Sequence, residues 1–135
     1  MAQHERPLSP FMHYRWQYSN TLSILHRATG VFLSLGIALL VYWLVAAASG
    51  SAAYESALSC LSAPLGKLAL FAWLLAFFYH FCNGIRHLFW DAGHGFEKAV
   101  ARKTGTIVFI AAIVLTLLTW WFAASRITLS AGGLV

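Results

Sequence analysis

The chain has 135 residues, 60% of them hydrophobic and only 10% charged, with a formal net charge of +5. That composition is too apolar for a soluble domain of this size and reads as an integral membrane protein. The positive charge does not point to nucleic acid, because Lys and Arg gather at the ends of apolar runs instead of forming a basic face.

Three uncharged blocks, 28–54, 68–85 and 104–125, are each long enough to span, since roughly 20 mainly apolar residues cross a bilayer core. The expected fold is all-α: an integral membrane bundle of three transmembrane helices, about 21–48, 65–90 and 104–124, behind an interfacial arm at 1–20. The whole chain reads as a single membrane-anchor domain. Three helices enclose little interior of their own, so a partner chain is expected.

Arg6, Arg15 and Arg27 lie before or at the start of the first span, and Arg86, Lys98, Arg102 and Lys103 at or between the second and third. Only Lys67 and Arg126 fall on the other side. The positive-inside rule then puts the N-terminus and second loop inside, and the first loop and C-terminus outside.

In the arm, Pro7 and Pro10 oppose an early helix, and Tyr14, Trp16 and Tyr18 suit the headgroup layer. His4 and His13 read as solvated. The first helix is expected to start near Asn20 or Thr21, either of which could cap it. Its apolar run followed by Ala46-Ala-Ala-Ser-Gly-Ser-Ala-Ala53 imitates a signal peptide, but the run is longer than a signal core and reads as a retained span.

Ser23, Arg27, Gly30 and Ser34 recur at i, i+4, i+7 and i+11, giving this helix a small-and-polar stripe. Gly30 and Ser34 read as close helix packing. A guanidinium buried at Arg27 needs an acceptor, and with Ser23 it suits a site near the inner interface; anchoring a lipid phosphate is the alternative.

The outer loop, about 49–64, is small, nearly uncharged and without evident chemistry. Cys60 lies in it and Cys82 deep in the second span, so they are not expected to pair.

The second span ends in His80-Phe-Cys-Asn-Gly-Ile-Arg-His-Leu-Phe-Trp-Asp91. On a helix His80, Gly84, His87 and Asp91 share one face. An unpartnered imidazole in hydrocarbon is costly, so this face looks into a bundle, a cavity or a cofactor. Gly84 leaves a notch that a porphyrin would fit. The plainer readings are a structural His80 bonded to a neighbouring helix and an interfacial His87. His94, between glycines, reads as exposed. His26 sits near the inner end of the first helix, roughly 10 Å from His80 in depth at about 1.5 Å per residue. The third span carries nothing titratable; Thr116 and Thr119 can bond back to the backbone, and Trp120 and Trp121 suit the outer aromatic belt.

Three motifs, Arg6-Pro-Leu-Ser-Pro10, Ser23-Ile-Leu-His-Arg-Ala-Thr-Gly30 and the stretch from His80 to Asp91, together resemble the cytochrome b membrane-anchor (C-type) subunit of succinate dehydrogenase. The resemblance runs to about Asp91, with Phe-Met following Ser-Pro where the family often has His-Leu. It implies haem b, shared with a second small D-type anchor subunit that supplies the opposite ligand. It makes His80 the axial ligand to haem iron, places His87 by a haem propionate with Gly84 packing on the haem, and lines a ubiquinone pocket with Ser23 and Arg27. It also implies an iron-sulfur subunit, a flavoprotein subunit that oxidises succinate, and a lipid bilayer around the anchor, with no nucleic acid.

No Cys-x-x-Cys-His motif occurs, so any haem would be b-type. The N-terminus is not an Arg-rich, acid-poor transit peptide, which favours a bacterial inner membrane over a mitochondrial one. Alternatives from other classes are the anchor of a different quinone-linked cytochrome b, which would want more histidines within its spans, and a haem-free scaffold or small transporter.

Overall fold

The computed structural model describes the backbone of residues 15–132 and the side chains of residues 15–126. Four helices follow in order: α1 (Tyr18–Ala48), α2 (Ser51–Ser62), α3 (Pro64–Asp91) and α4 (Lys98–Gly132). α1, α3 and the stretch of α4 from Lys98 to Arg126 are long and apolar enough to cross a membrane. The three-span, all-α architecture is therefore as the hydropathy pattern requires. Most of the interfacial arm, residues 1–14, lies outside the described residues.

The ends differ from expectation in three places. α1 begins at Tyr18, not at Asn20 or Thr21, and its N-cap Gln17 makes no side-chain cap bond. Instead the Trp16 indole donates to Thr21 Oγ1 at 2.7 Å, which occupies the hydroxyl that would have capped. The outer connection is not a loop: Gly50, at φ +110°, ends α1, and the Ala- and Ser-rich segment after it forms α2. Such residues need no core to form a short helix when long helices clamp both ends. α4 starts six residues before Thr104, because Lys98 to Lys103 continue the helix into the polar layer.

α3 is the central element, packed against both α1 and α4. α3 and α4 are joined by a tight connection in which Gly93 and Gly95 take positive φ and the Trp90 indole donates to the Gly95 carbonyl at 3.1 Å. α1 runs antiparallel to α3, with Gly36 against Trp73 and Gly30 against His80. Gly105 lets α4 approach Leu22 and Tyr18 of α1, where a Cβ would collide.

The small core is Leu22, Tyr79, Val108 and Ala112, flanked by Leu25, Phe78, Cys82 and Phe109. The Tyr79 hydroxyl donates to the Leu22 carbonyl at 2.9 Å, so even the core holds a satisfied polar group. Thr116 donates to the Ala112 carbonyl at 2.6 Å, the back-bond expected of it. Both cysteines are free. Large apolar side chains remain exposed along all three spans, so most of the helical surface is left for lipid or other chains.

Candidate functional site

Facing α1 and α3 bring three imidazoles together. The His26 ring stacks on His80 with centroids 4.0 Å apart and planes 11° apart. It lies 5.0 Å from His87, which in turn meets Trp90 edge-on at 5.1 Å. The expected 10 Å depth separation between His26 and His80 is thus overturned. Counting residues from helix ends misjudged the register, which is set by what packs: small residues at Gly30 and Gly36 admit His80 and Trp73, and that slides His26 level with His80.

His80 is half-buried, and Gly30 makes room for it: a Cβ there would lie 3.0 Å from His80 Cε1. His80 Nδ1 is 3.0 Å from the His26 carbonyl oxygen and 3.3 Å from Thr29 Oγ1. The Thr29 hydroxyl proton is directed back at its own helix, with the Leu25 carbonyl at 2.8 Å and the His26 carbonyl at 2.9 Å. His26 Nδ1 is buried with no partner among the described residues.

One turn from His80, Gly84 opens onto space, since a Cβ there would meet nothing within 4 Å. His80, Gly84 and His87 therefore share a face as the periodicity requires, while Asp91 ends the helix exposed and apart from the cluster. The rings meet by their faces. Two stacked imidazoles cannot offer in-plane lone pairs to one metal from opposite sides, and no group of three His, Cys, Asp or Glu among the described residues could hold a metal ion.

Ser23 and Arg27 lie on α1 one turn apart. At about 100° per residue they flank the His26 seam on the side away from Leu22, the residue that faces α4. Ser23 is half-buried, but Arg27 is exposed within this chain, contrary to the buried guanidinium expected. Among the described residues its side chain makes one hydrogen bond, Nε to the Ser23 carbonyl at 3.4 Å. No third helix among the described residues lies on that flank, and none of those residues covers the side chain. Of the two residues read as packing, Gly30 packs, while Ser34 is exposed and bonds back to the Gly30 carbonyl. His94 is exposed, as expected.

A second polar centre went unrecognised in the sequence. Arg86, counted there only as a topological charge, is 6% exposed. It donates through Nε to Thr104 Oγ1 at 3.1 Å, through Nη1 to Asn83 Oδ1 at 3.3 Å and through Nη2 to the Ala101 carbonyl at 3.0 Å. Its guanidinium also sits 3.9 Å above the Trp90 ring. Asn83 and Arg86, three residues apart and about a quarter-turn round α3 from the histidine stripe, were the available signal.

Residues 2–119 match the family described as succinate dehydrogenase/fumarate reductase transmembrane subunit. The chain is 44% identical over 117 residues to the succinate dehydrogenase cytochrome b556 subunit of Rickettsia felis, covering 86% of this chain and 91% of that one. It is 39% identical over 115 residues to the cytochrome b556 subunit of Paracoccus denitrificans, covering 84% and 88% respectively. Against the mitochondrial cytochrome b560 subunit of Bos taurus it is 38% identical over 120 residues, covering 84% of this chain and 67% of that one. With a polar seam set into three apolar spans and a match along nearly its whole length, this multi-pass membrane protein belongs to the succinate dehydrogenase/fumarate reductase transmembrane subunit family.

Proposed function

We propose that this chain is the haem b-binding C-type anchor of a succinate:quinone oxidoreductase and forms part of its ubiquinone-reduction site. The observation that carries the reading is His80: a half-buried imidazole between a glycine that receives its ring and a glycine that opens onto space, within the membrane-spanning part of α3. The residues fit a haem. Gly84 leaves the clearance a flat macrocycle needs, and the orphaned His26 Nδ1 is a polar atom that a polar edge of a bound group would satisfy.

A haem held there supplies reversible one-electron storage between ferric and ferrous iron. His80 would be the ligand that this chain gives to the iron. His87, two turns along the same face and beside Trp90, is placed for a propionate. Because the His26 and His80 rings stack, His26 would not share the iron with His80, and a D-type anchor subunit would supply the second ligand.

On that flank Ser23 offers a hydroxyl and Arg27 a fixed positive charge to the carbonyl oxygens of ubiquinone. Both act on the quinone as it gains negative charge, by hydrogen bonds stronger to the charged than to the neutral form. Arg27 supports this role, since among the described residues its guanidinium holds one long bond through Nε, and a fully satisfied group would have little to give. Electrons come from succinate through a flavoprotein and an iron-sulfur subunit docked on the inner side, and the anchor alone catalyses nothing.

The orientation follows the distribution of the remaining cations. With Arg86 engaged inside the bundle, Arg6, Arg15, Arg27, Lys98, Arg102 and Lys103 still outnumber Lys67 and Arg126, which puts the N-terminus in the cytoplasm of a bacterial cell and the C-terminus in the periplasm.

The test is a reduced-minus-oxidised spectrum of the complex isolated through a tag on this chain, with identification of the copurifying chains. A low-spin b-type spectrum, a second small membrane chain and two soluble subunits are expected. A bis-histidine haem in this polypeptide purified alone would overturn the shared-haem reading.

A further inference from the structure

The hydrogen bonds on the far side of the His80 ring have a consequence for its strength as a ligand. An imidazole that gives one nitrogen to a metal must carry its proton on the other, and the partner of that N–H sets both tautomer and ring orientation. Here the partners of Nδ1 lie on a different helix: the His26 carbonyl at 3.0 Å and Thr29 Oγ1 at 3.3 Å. Both are acceptors at this point. The carbonyl can only accept, and the Thr29 hydroxyl has its proton turned towards the Leu25 and His26 carbonyls of its own helix, which leaves oxygen lone pairs for His80. Nδ1 is therefore the protonated nitrogen and Nε2 the one that keeps a lone pair.

The approach depends on Gly30. With a Cβ only 3.0 Å from Cε1, the ring would have to withdraw by a few tenths of an ångström, and the same movement lengthens both bonds at Nδ1. A stronger N–H···O bond at Nδ1 makes the imidazole a better donor to iron, which favours the ferric state and lowers the haem potential.

We propose that α1 tunes the iron ligand carried by α3, with the His26 carbonyl and the Thr29 hydroxyl holding His80 as its Nδ1–H tautomer and Gly30 giving the ring access to them. The proposal rests on His80 being the haem ligand. Thr29 and Gly30 are positioning residues, acting through the ring of His80. They link the helix that bears Ser23 and Arg27 to the electronic state of the haem, so a shift of α1 at the quinone end would also be felt at the iron.

The experiment uses the whole complex and reads the haem midpoint potential by redox titration, with the low-spin ferric signal by electron paramagnetic resonance. Thr29→Val, of the same shape but without an acceptor, should raise the potential and change the low-spin g-values. Thr29→Ser, which keeps the hydroxyl, should stay at the parental potential. Gly30→Ala should raise it further than Thr29→Val, since it moves the ring from both acceptors at once. A purely structural role for these residues would lower the melting temperature without this ordered change in potential. Parental potentials and g-values in both Thr29→Val and Gly30→Ala, with His80→Ala losing the low-spin signal, would overturn the tuning while leaving the ligand in place. A parental low-spin signal and potential in His80→Ala would overturn the ligand assignment, and the tuning with it.

Discussion

Arg86 and Arg27 both lie in segments that cross the membrane, and the chain treats them in opposite ways. Arg86, between α3 and α4, has a side-chain or carbonyl acceptor for each guanidinium nitrogen and an indole beneath it. Arg27, on the open flank of α1, holds one long bond to its own helix's backbone and has no other hydrogen bond among the described residues. An intramembrane charge is expensive either way. Where its partners are intramolecular it locks two helices; where the described residues supply none, it is available to the second molecule that we propose completes the site. The α3–α4 seam is accordingly a closed structural joint, and the α1–α3 seam, with its stacked imidazoles and the clearance at Gly84, is the one to which we assign the function.

The largest effect that would test this contrast is at the histidines of the open seam. His80→Ala should eliminate six-coordinate haem from the assembled complex, whereas His87→Ala should retain haem with an altered potential; equal loss in both, measured as pyridine haemochrome per complex, would contradict the division of labour. At the closed seam, Arg86→Leu should lower the stability of the detergent-solubilised complex by about 3 kcal/mol, from the lost charged hydrogen bonds and an Asn83 left less satisfied. If a thermal melt showed no such loss and quinone reduction fell instead, the two arginines would have been assigned the wrong way round.

Arg27→Ala and Ser23→Ala should leave the melt, the haem content and the succinate-to-dye rate near parental. They should slow succinate-to-quinone turnover by roughly ten- to a hundredfold, the kinetic equivalent of one or two charge-assisted hydrogen bonds at about 1.5–3 kcal/mol. Full quinone reduction in both variants would remove these residues from the site. The smallest effect sharpens the contrast. Gly84→Ala meets no atom within 4 Å and trades a poor helix former for a good one, so the chain itself should gain up to about 1 kcal/mol. Haem retention during detergent washing should nevertheless fall, because the methyl group occupies the clearance; unchanged retention would mean that the haem does not lie against Gly84.

The span count, the shared face of His80, Gly84 and His87, and the pairing of Ser23 with Arg27 were legible in the sequence, because each depends only on local period and on the exclusion of polar groups from hydrocarbon. The extra helix α2 was missed because a short run of Ala, Ser and Leu carries no periodic signal of its own, and its helicity comes from the elements on either side. His26 was placed at the wrong depth for a related reason: one helix fixes the spacing of its own residues but not its register against another.

The sequence by itself determined that this chain has three membrane spans and that two of them carry polar stripes, since hydropathy and a 3.6-residue period are properties of each segment alone. Only the tertiary structure decided which polar groups satisfy one another. Gly30 admits the ring of His80 and so brings it to the His26 carbonyl, while Arg86 finds its acceptors eighteen and fifteen residues away at Thr104 and Ala101. Those pairings follow from how closely two helices approach, which is set by the small residues between them and by the buried polar atoms that must be bonded once they meet.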